Sequence, residues 1–387
     1  MGVIRTVCGD IAPEELGFTS VHDHTIFQPS MLTKIMLKSM PDMMKGATGY
    51  RGGADLGEEA ARREKERITD IPQMDIKGVL GSMKLPGNNP ARKLTDEDYY
   101  INELRAYREC GGKSLCDCSP LPSGAKLSVI RELSERTGVQ IISCAGYYTK
   151  AAIEMLAKKE VKQGEAAMQE KVERYLSQGD GSCDARPGFV KCAVSVLEKE
   201  EICPEEMMAV RACARAAKNF GMSLHIHNQF PVRRVHILKL ADMLEQEIGI
   251  YPGKVVFCHM DSYNLGMGNP AARINAEGYD IELPLELAGR GFNVGLDTWS
   301  ISAANREVMD YNINTRKKML LELIAHGMVS HVTLGHDFMG KANGVQNGGF
   351  GYTLFPNILE EMAEKGELTQ ETCRALTVEN PARILAI

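Results

Sequence analysis

Residues 188–195 read GFVKCAVS: an apolar run follows Pro187 and Gly188, and a single cation, Lys191, sits in its middle. A run this short, rich in aliphatic and β-branched residues and opened by Pro and Gly, predicts a buried strand rather than a helix. Seven further runs of the same kind flank it: Phe18 to His24, Ser114 to Ser119, Val139 to Tyr147, Ser223 to Asn228, Lys254 to Met260, Phe292 to Asp297 and His331 to Asp337. Between them lie stretches of helical periodicity, among them Lys126 to Thr137, Pro231 to Ile248 and Arg316 to His326, several closing on Gly as helix C-caps do. Eight strands alternating with helices predict a parallel α/β sheet closed into a (β/α)₈ TIM barrel.

The chain's 387 residues fit a single barrel domain carrying insertions. One is a polar, Gly-rich segment of about residues 25–93, an elaborated loop after the first strand. The second, KANGVQNGGFGY from Lys341 to Tyr352, follows the eighth strand, where its glycines suggest a mobile loop over substrate. No internal repeat or linker calls for a second domain.

A net charge of -6, with 44% hydrophobic and 25% charged residues, excludes the clustered basic excess that nucleic acid or an anionic membrane surface requires. No apolar run approaches the ~20 residues of a membrane span, and the start MGVIRTVCGD lacks the apolar core of a signal peptide. The expectation is a cytoplasmic protein acting on small molecules, with a homodimer left open. Its 11 cysteines are odd in number and mostly set in apolar sequence, which suits reduced, buried thiols. Cys116 and Cys118 are too close for the usual zinc pair and should share one face of a strand.

His22 and His24, two apart at the end of the first run, share a strand face and could meet one ion, although the spacing alone favours an incidental pair. His227 in SLHIHNQ, His259 in VVFCHMD and Asp337 in GHD also fall at strand ends, so these side chains would converge on one barrel mouth. His225 faces inward but deeper and reads as core, and His336 should point away from the interior. His236, His326 and His331 read as packing or surface residues. Lys191 is harder to place, because an unpaired buried ammonium is costly. Pairing with a carboxylate, reaching to solvent and chemical conversion all remain open.

The ordered set IRTVCGDIAPEELGFTSVHDH, GFVKCA, LHIHN, HMD, GHD and the closing VENPARILAI resembles the phosphotriesterase-related family of the amidohydrolase superfamily, nearly end to end except for the first loop. The resemblance implies a metal-dependent hydrolase with two divalent metal ions, zinc foremost and manganese, cobalt or iron as alternatives. It assigns His22, His24 and Asp337 to the more buried ion and His227 and His259 to the more exposed one. Lys191, N6-carboxylated to a carbamate, would join them, and a bridging hydroxide would be the nucleophile. Asp337 would take its proton; Asp261 is similar to the family residue that passes it outward, although a hydrogen-bonding carboxylate explains Asp261 equally well.

Substrate contacts are sought in the loops, at Tyr147 and Tyr148, Tyr263, Trp299, Lys341 and Tyr352. Relatives often place an arginine after the strand-six aspartate, but Ser262 stands here, which weakens the case for a phosphate site. The leading expectation is a lactonase or carboxylic esterase acting on a small sugar-acid-type lactone. An amidohydrolase on a small N-acyl substrate and a phosphotriesterase are the enzymatic alternatives, and a barrel that binds metal without catalysis is the remaining one.

Overall fold

The computed structural model describes residues 2–26, 95–229, 232, 234–261, 279–299, 306–338, 341 and 344–387. The segment expected as a long first loop, together with Ser262 and Tyr263, falls almost wholly outside them. Among the described residues a short N-terminal hairpin, Ile4–Thr6 with Gly9–Ile11, precedes eight parallel strands. We name these β1 (Thr19–Asp23), β2 (Ser114–Leu121), β3 (Gln140–Gly146), β4 (Phe189–Val194), β5 (Leu224–Asn228), β6 (Val255–Phe257), β7 (Asn293–Leu296) and β8 (Val332–Leu334). A helix follows each strand in turn: α1 (Asp96–Glu109), α2 (Leu127–Thr137), α3 (Glu165–Gln178), α4 (Pro204–Phe220), α5 (Arg234–Asp242), α6 (Glu282–Gly289), α7 (Arg306–Ala325) and α8 (Leu354–Glu364). Seven of the eight strands lie inside the runs read from the sequence, and β2 runs two residues past its own, to Leu121. α7 starts ten residues before the periodic stretch that announced it.

The strands follow chain order across the sheet, and the Asp337 amide N–H donates to the His22 carbonyl at 3.0 Å, joining the end of β8 to β1. The result is a TIM barrel. Its lower interior is filled by Val21, Cys116, Cys118, Ile142, Cys144 and Phe189, with Ile4 and Leu385 closing the bottom from the two termini. Cys116 and Cys118 thus share a face as the alternation of β2 requires, and all 11 cysteines are free thiols. Their small volume leaves room for a long side chain to rise through the barrel. No helix among the described residues is long and apolar enough to cross a membrane.

Candidate metal centre

The register of β4 on β5 aligns Lys191 with His225 and Ala193 with His227. The Lys191 backbone therefore sits one inward-facing level below His227, and only a four-carbon stem brings its amine up to the histidines. Lys191 is 0% exposed; its Nζ lies 3.3 Å from His22 Nε2 and 3.3 Å from Cys258 Sγ. No carboxylate pairs with it among the described residues.

Around that amine the histidine rings are oriented by groups behind them. Asp297, at the end of β7, accepts from His22 Nδ1 through Oδ2 at 2.8 Å, and from both the backbone N–H and Nδ1 of His259 through Oδ1 at 2.7 and 2.8 Å. With both Nδ1 atoms protonated toward Asp297, each Nε2 keeps its lone pair for the barrel mouth, the arrangement by which a carboxylate orients metal-ligating histidines. His24 leans its Nδ1 on Ser119 Oγ at 2.8 Å and turns Nε2 to Asp337 Oδ1 at 3.2 Å. His22 Nε2 lies 3.7 Å from the same oxygen.

His227 directs Nε2 to Gln229 Oε1 at 3.1 Å, which leaves its Nδ1 facing His259 Nε2 at 2.6 Å. As the hydrogen-bond partners assign the tautomers, two lone pairs meet there. They repel unless a proton or a metal cation lies between them. Burial works against charge on His259, but the Asp297 and Asp337 carboxylates outweigh it and hold the ring above the ordinary imidazole value. His22 goes the other way, to about 4, through burial and the Lys191 charge. Burial would raise Asp337, yet the His24 hydrogen bond and the neighbouring His259 and His22 hold it well below the usual carboxylate range. An ionised carboxylate beside imidazole nitrogens that can offer lone pairs is the donor chemistry that borderline divalent cations take.

Two of these residues adopt backbone conformations that L-residues rarely visit: His259 at φ 61° and Asp337 at φ 52°. For His259 the reason is visible. Val256 and Cys258 pack inward against Ile384, so the alternation of β6 would send the next residue outward, and the left-handed turn redirects it to the site. Glycine is required beside them, since a Cβ on Gly335 would lie 2.6 Å from His22 Cβ and 2.7 Å from its carbonyl oxygen.

Five imidazole or carboxylate candidates, His22, His24, His227, His259 and Asp337, thus gather around Lys191. One ligand atom each from His22, His259 and Asp337 lies within 4.8 Å of the others, and the same holds for His22, Cys258 and Asp297. Cys258 and the orienting role of Asp297 were not legible in the sequence, where Asp297 is only the last residue of the seventh run. Its position in GLD, parallel to Asp337 in GHD, is the one signal that could have raised it.

Asp261 is placed differently from a free relay. Its carboxylate accepts the Asp297 and Thr298 amides at 3.2 and 3.0 Å and pairs with the buried Arg316 at 2.7 Å, the hydrogen-bonding reading of the two offered by the sequence. Tyr148 is half-buried with its ring edge-on to His227 at 5.2 Å, the one substrate-contact candidate beside the candidate ligand cluster among the described residues. Trp299 is 2% exposed, donates to the Leu296 carbonyl at 3.0 Å and packs on Phe355, a core position. Tyr352, 0% exposed, donates to the His24 carbonyl at 2.6 Å and so supports that ligand from behind. Lys341 is ion-paired to Asp96 and lies over the Tyr99 ring at 5.0 Å, which ties its loop to α1. Tyr147 turns into the core and donates to the Met168 carbonyl at 3.1 Å. His225 is core as expected, its ring against Phe189 at 4.4 Å.

A profile of the phosphotriesterase family matches residues 2–385. The N-acetyltaurine hydrolase of Danio rerio is 25% identical, covering 99% of this chain and 98% of that protein. The phosphotriesterase-related protein of Drosophila melanogaster is also 25% identical, covering 100% and 99%. A lactonase from Listeria monocytogenes superposes with TM-score 0.67 at 20% identity over 99% of this chain and 98% of its own, and a resiniferatoxin-binding protein from Rhodobacter sphaeroides with TM-score 0.69 at 22% over 99% and 95%; both share the barrel. The cluster at the barrel mouth and the end-to-end match carry one conclusion: the chain belongs to the phosphotriesterase family and is a hydrolase.

Proposed function

We propose that the protein is a binuclear metal-dependent hydrolase whose preferred substrate is a small lactone or related carboxylic ester, with a sugar-acid-type lactone as first choice. The observation that carries this reading is Asp297 holding the Nδ1 atoms of both His22 and His259, so that their Nε2 lone pairs converge beside the buried Lys191. His22, His24 and Asp337 would hold one divalent ion, His227 and His259 the other, with Lys191 as carbamate between them. Zinc suits this nitrogen and oxygen set best, and manganese, cobalt and iron are accepted by similar ones. When bound, the pair supplies Lewis acidity that lowers the pKa of water and polarises the oxygen of the bond to be cut.

The chain's own residues do the rest. A carbamate on Lys191 would replace the buried cation by an anion, whose charge the two bound cations would offset. Asp337, kept ionised by its histidine neighbours, would accept the proton of the attacking water. Asp261 and Arg316 hold the Asp297–Thr298 backbone, and through it the carboxylate that orients two ligands. Tyr148 would flank the substrate beside His227.

Esters are preferred over amides because an alkoxide departs without prior protonation far more readily than an amide anion does, and Asp261 is already committed to Arg316. A second reading, cleavage of a small N-acyl compound, is supported by the similarity to N-acetyltaurine hydrolases. Phosphotriester cleavage would be a side activity. Turnover of a lactone panel against an N-acyl amino-acid and N-acyl sulfonate panel tests the order: lactone hydrolysis should dominate kcat/KM, and robust amide cleavage without lactone turnover would reverse it.

A further inference from the structure

Asp23 lies between His22 and His24 in the chain, and the alternation of β1 turns its side chain away from them, out of the barrel. There its carboxylate grips both neighbours of Asp337. Oδ2 lies 2.9 Å from His336 Nδ1, and Oδ1 accepts the Phe338 amide at 3.2 Å. His336 Nε2 accepts the Phe355 amide of α8 at 3.3 Å, so that nitrogen bears the lone pair and the ring proton sits on Nδ1, pointing at Asp23. Ser20 Oγ approaches the same Nδ1 at 3.2 Å. Asp23 and His336 are both 0% exposed, which leaves no water to substitute for a lost partner.

The residue held between these two grips is Asp337, with its left-handed backbone at φ 52° and its amide bound to the His22 carbonyl on the inner side. Three of the expected metal ligands, His22, His24 and Asp337, are therefore set relative to one another by one carboxylate that holds the residues on either side of Asp337. We infer that Asp23 is a positioning residue of the metal centre, which acts through His336 and the Phe338 amide to keep Asp337 level with the His22–His24 pair. The inference rests on the metal-centre reading above.

Asparagine at position 23 cannot reproduce the grip. If its oxygen serves His336, its amide opposes the Phe338 N–H; if its oxygen serves Phe338, His336 must carry its proton on Nε2, against the Phe355 N–H. The experiment is competition of Co²⁺ or Zn²⁺ between the full-length protein and a chromophoric chelator, read beside thermal stability of the metal-free chain. Asp23→Asn should weaken the tighter-held ion by about ten- to a hundredfold. Asn380→Ala serves as a control for destabilisation alone, since Asn380 holds the Val329 and Val332 carbonyls at the opposite end of β8. It should lower stability while leaving affinity near wild type. His336→Gln should weaken binding too, and the double variant should add little to Asp23→Asn, as for two members of one unit. Wild-type affinity in Asp23→Asn, or a loss no larger than that of Asn380→Ala, overturns the inference alone; a wild-type protein that binds no ion overturns it together with the metal-centre reading. Should Asp23→Asn not fold, ¹⁵N NMR of the wild-type histidines decides: His336 protonated on Nδ1 supports the grip, and protonation on Nε2 refutes it.

Discussion

Lys191 reaches the cluster because its stem is long enough to climb one level of the barrel, from alignment with His225 to the plane of His22. A shorter ligand at this position would fall short. Lys191→Ala should keep the fold and lose activity by more than about 100-fold, since a shared ligand goes with it. Acetate or propionate in the assay should restore part of the rate, by occupying the space as a carboxylate. Lys191→Met tests the cost of the buried cation: without bicarbonate and metal, its thermal midpoint should equal or exceed that of wild type, because an apolar isostere replaces an unpaired charge. Asp297→Asn should weaken metal binding by about ten- to a hundredfold, since an amide cannot accept from both Nδ1 atoms and the His259 backbone as a carboxylate does. At this scale the sequence exposed the candidate ligands, because HxH, HMD and GHD sit at the ends of recognisable strands. It did not expose what stands behind them, since the contacts of Asp297 with His22 and His259 join strands 275 and 38 residues apart and leave no local pattern. Trp299 and Tyr352 drew notice as aromatic residues past strand ends, and both turned out to be walls of the core.

At the scale of elements, the short apolar runs located every strand of the barrel, because parallel strands covered by helices are apolar on both faces. The helix starts were less legible. α7 begins at Arg306, in the polar sequence REVMDYNINT, where no apolar stripe marks it. The loop after β8 shows how one element is fixed by another: Glu103 of α1, 0% exposed, accepts the Val345 and Gln346 amides at 2.9 and 3.1 Å and the Gln346 side chain at 3.1 Å. A glycine-rich stretch that reads as mobile is therefore anchored in its described part. Glu103→Ala should strand those amides and cost about 2 kcal/mol or more of stability by denaturant titration, with a larger effect on KM than on metal content.

For the whole molecule, the barrel is finished by its ends. Val3 and Ile387 exchange backbone hydrogen bonds at 3.2 and 2.8 Å, and Ile4 and Leu385 close the barrel bottom, as far from the ligand cluster as the strands allow. Removing Ile384–Ile387 takes away two fully buried aliphatic side chains, Ile384 and Leu385, and should cost several kcal/mol, at roughly 1.5–3 kcal/mol for each. Stability would fall without a change in metal stoichiometry of the chains that remain folded. That separation of a structural bottom from a chemical top is what lets one measurement address the site directly. Metal content per chain, after reconstitution with bicarbonate and zinc and removal of loosely bound ions, should be two for wild type and fall below two for Lys191→Ala; a wild-type value of one or less, or an undiminished value in Lys191→Ala, would contradict the lysine-bridged binuclear centre.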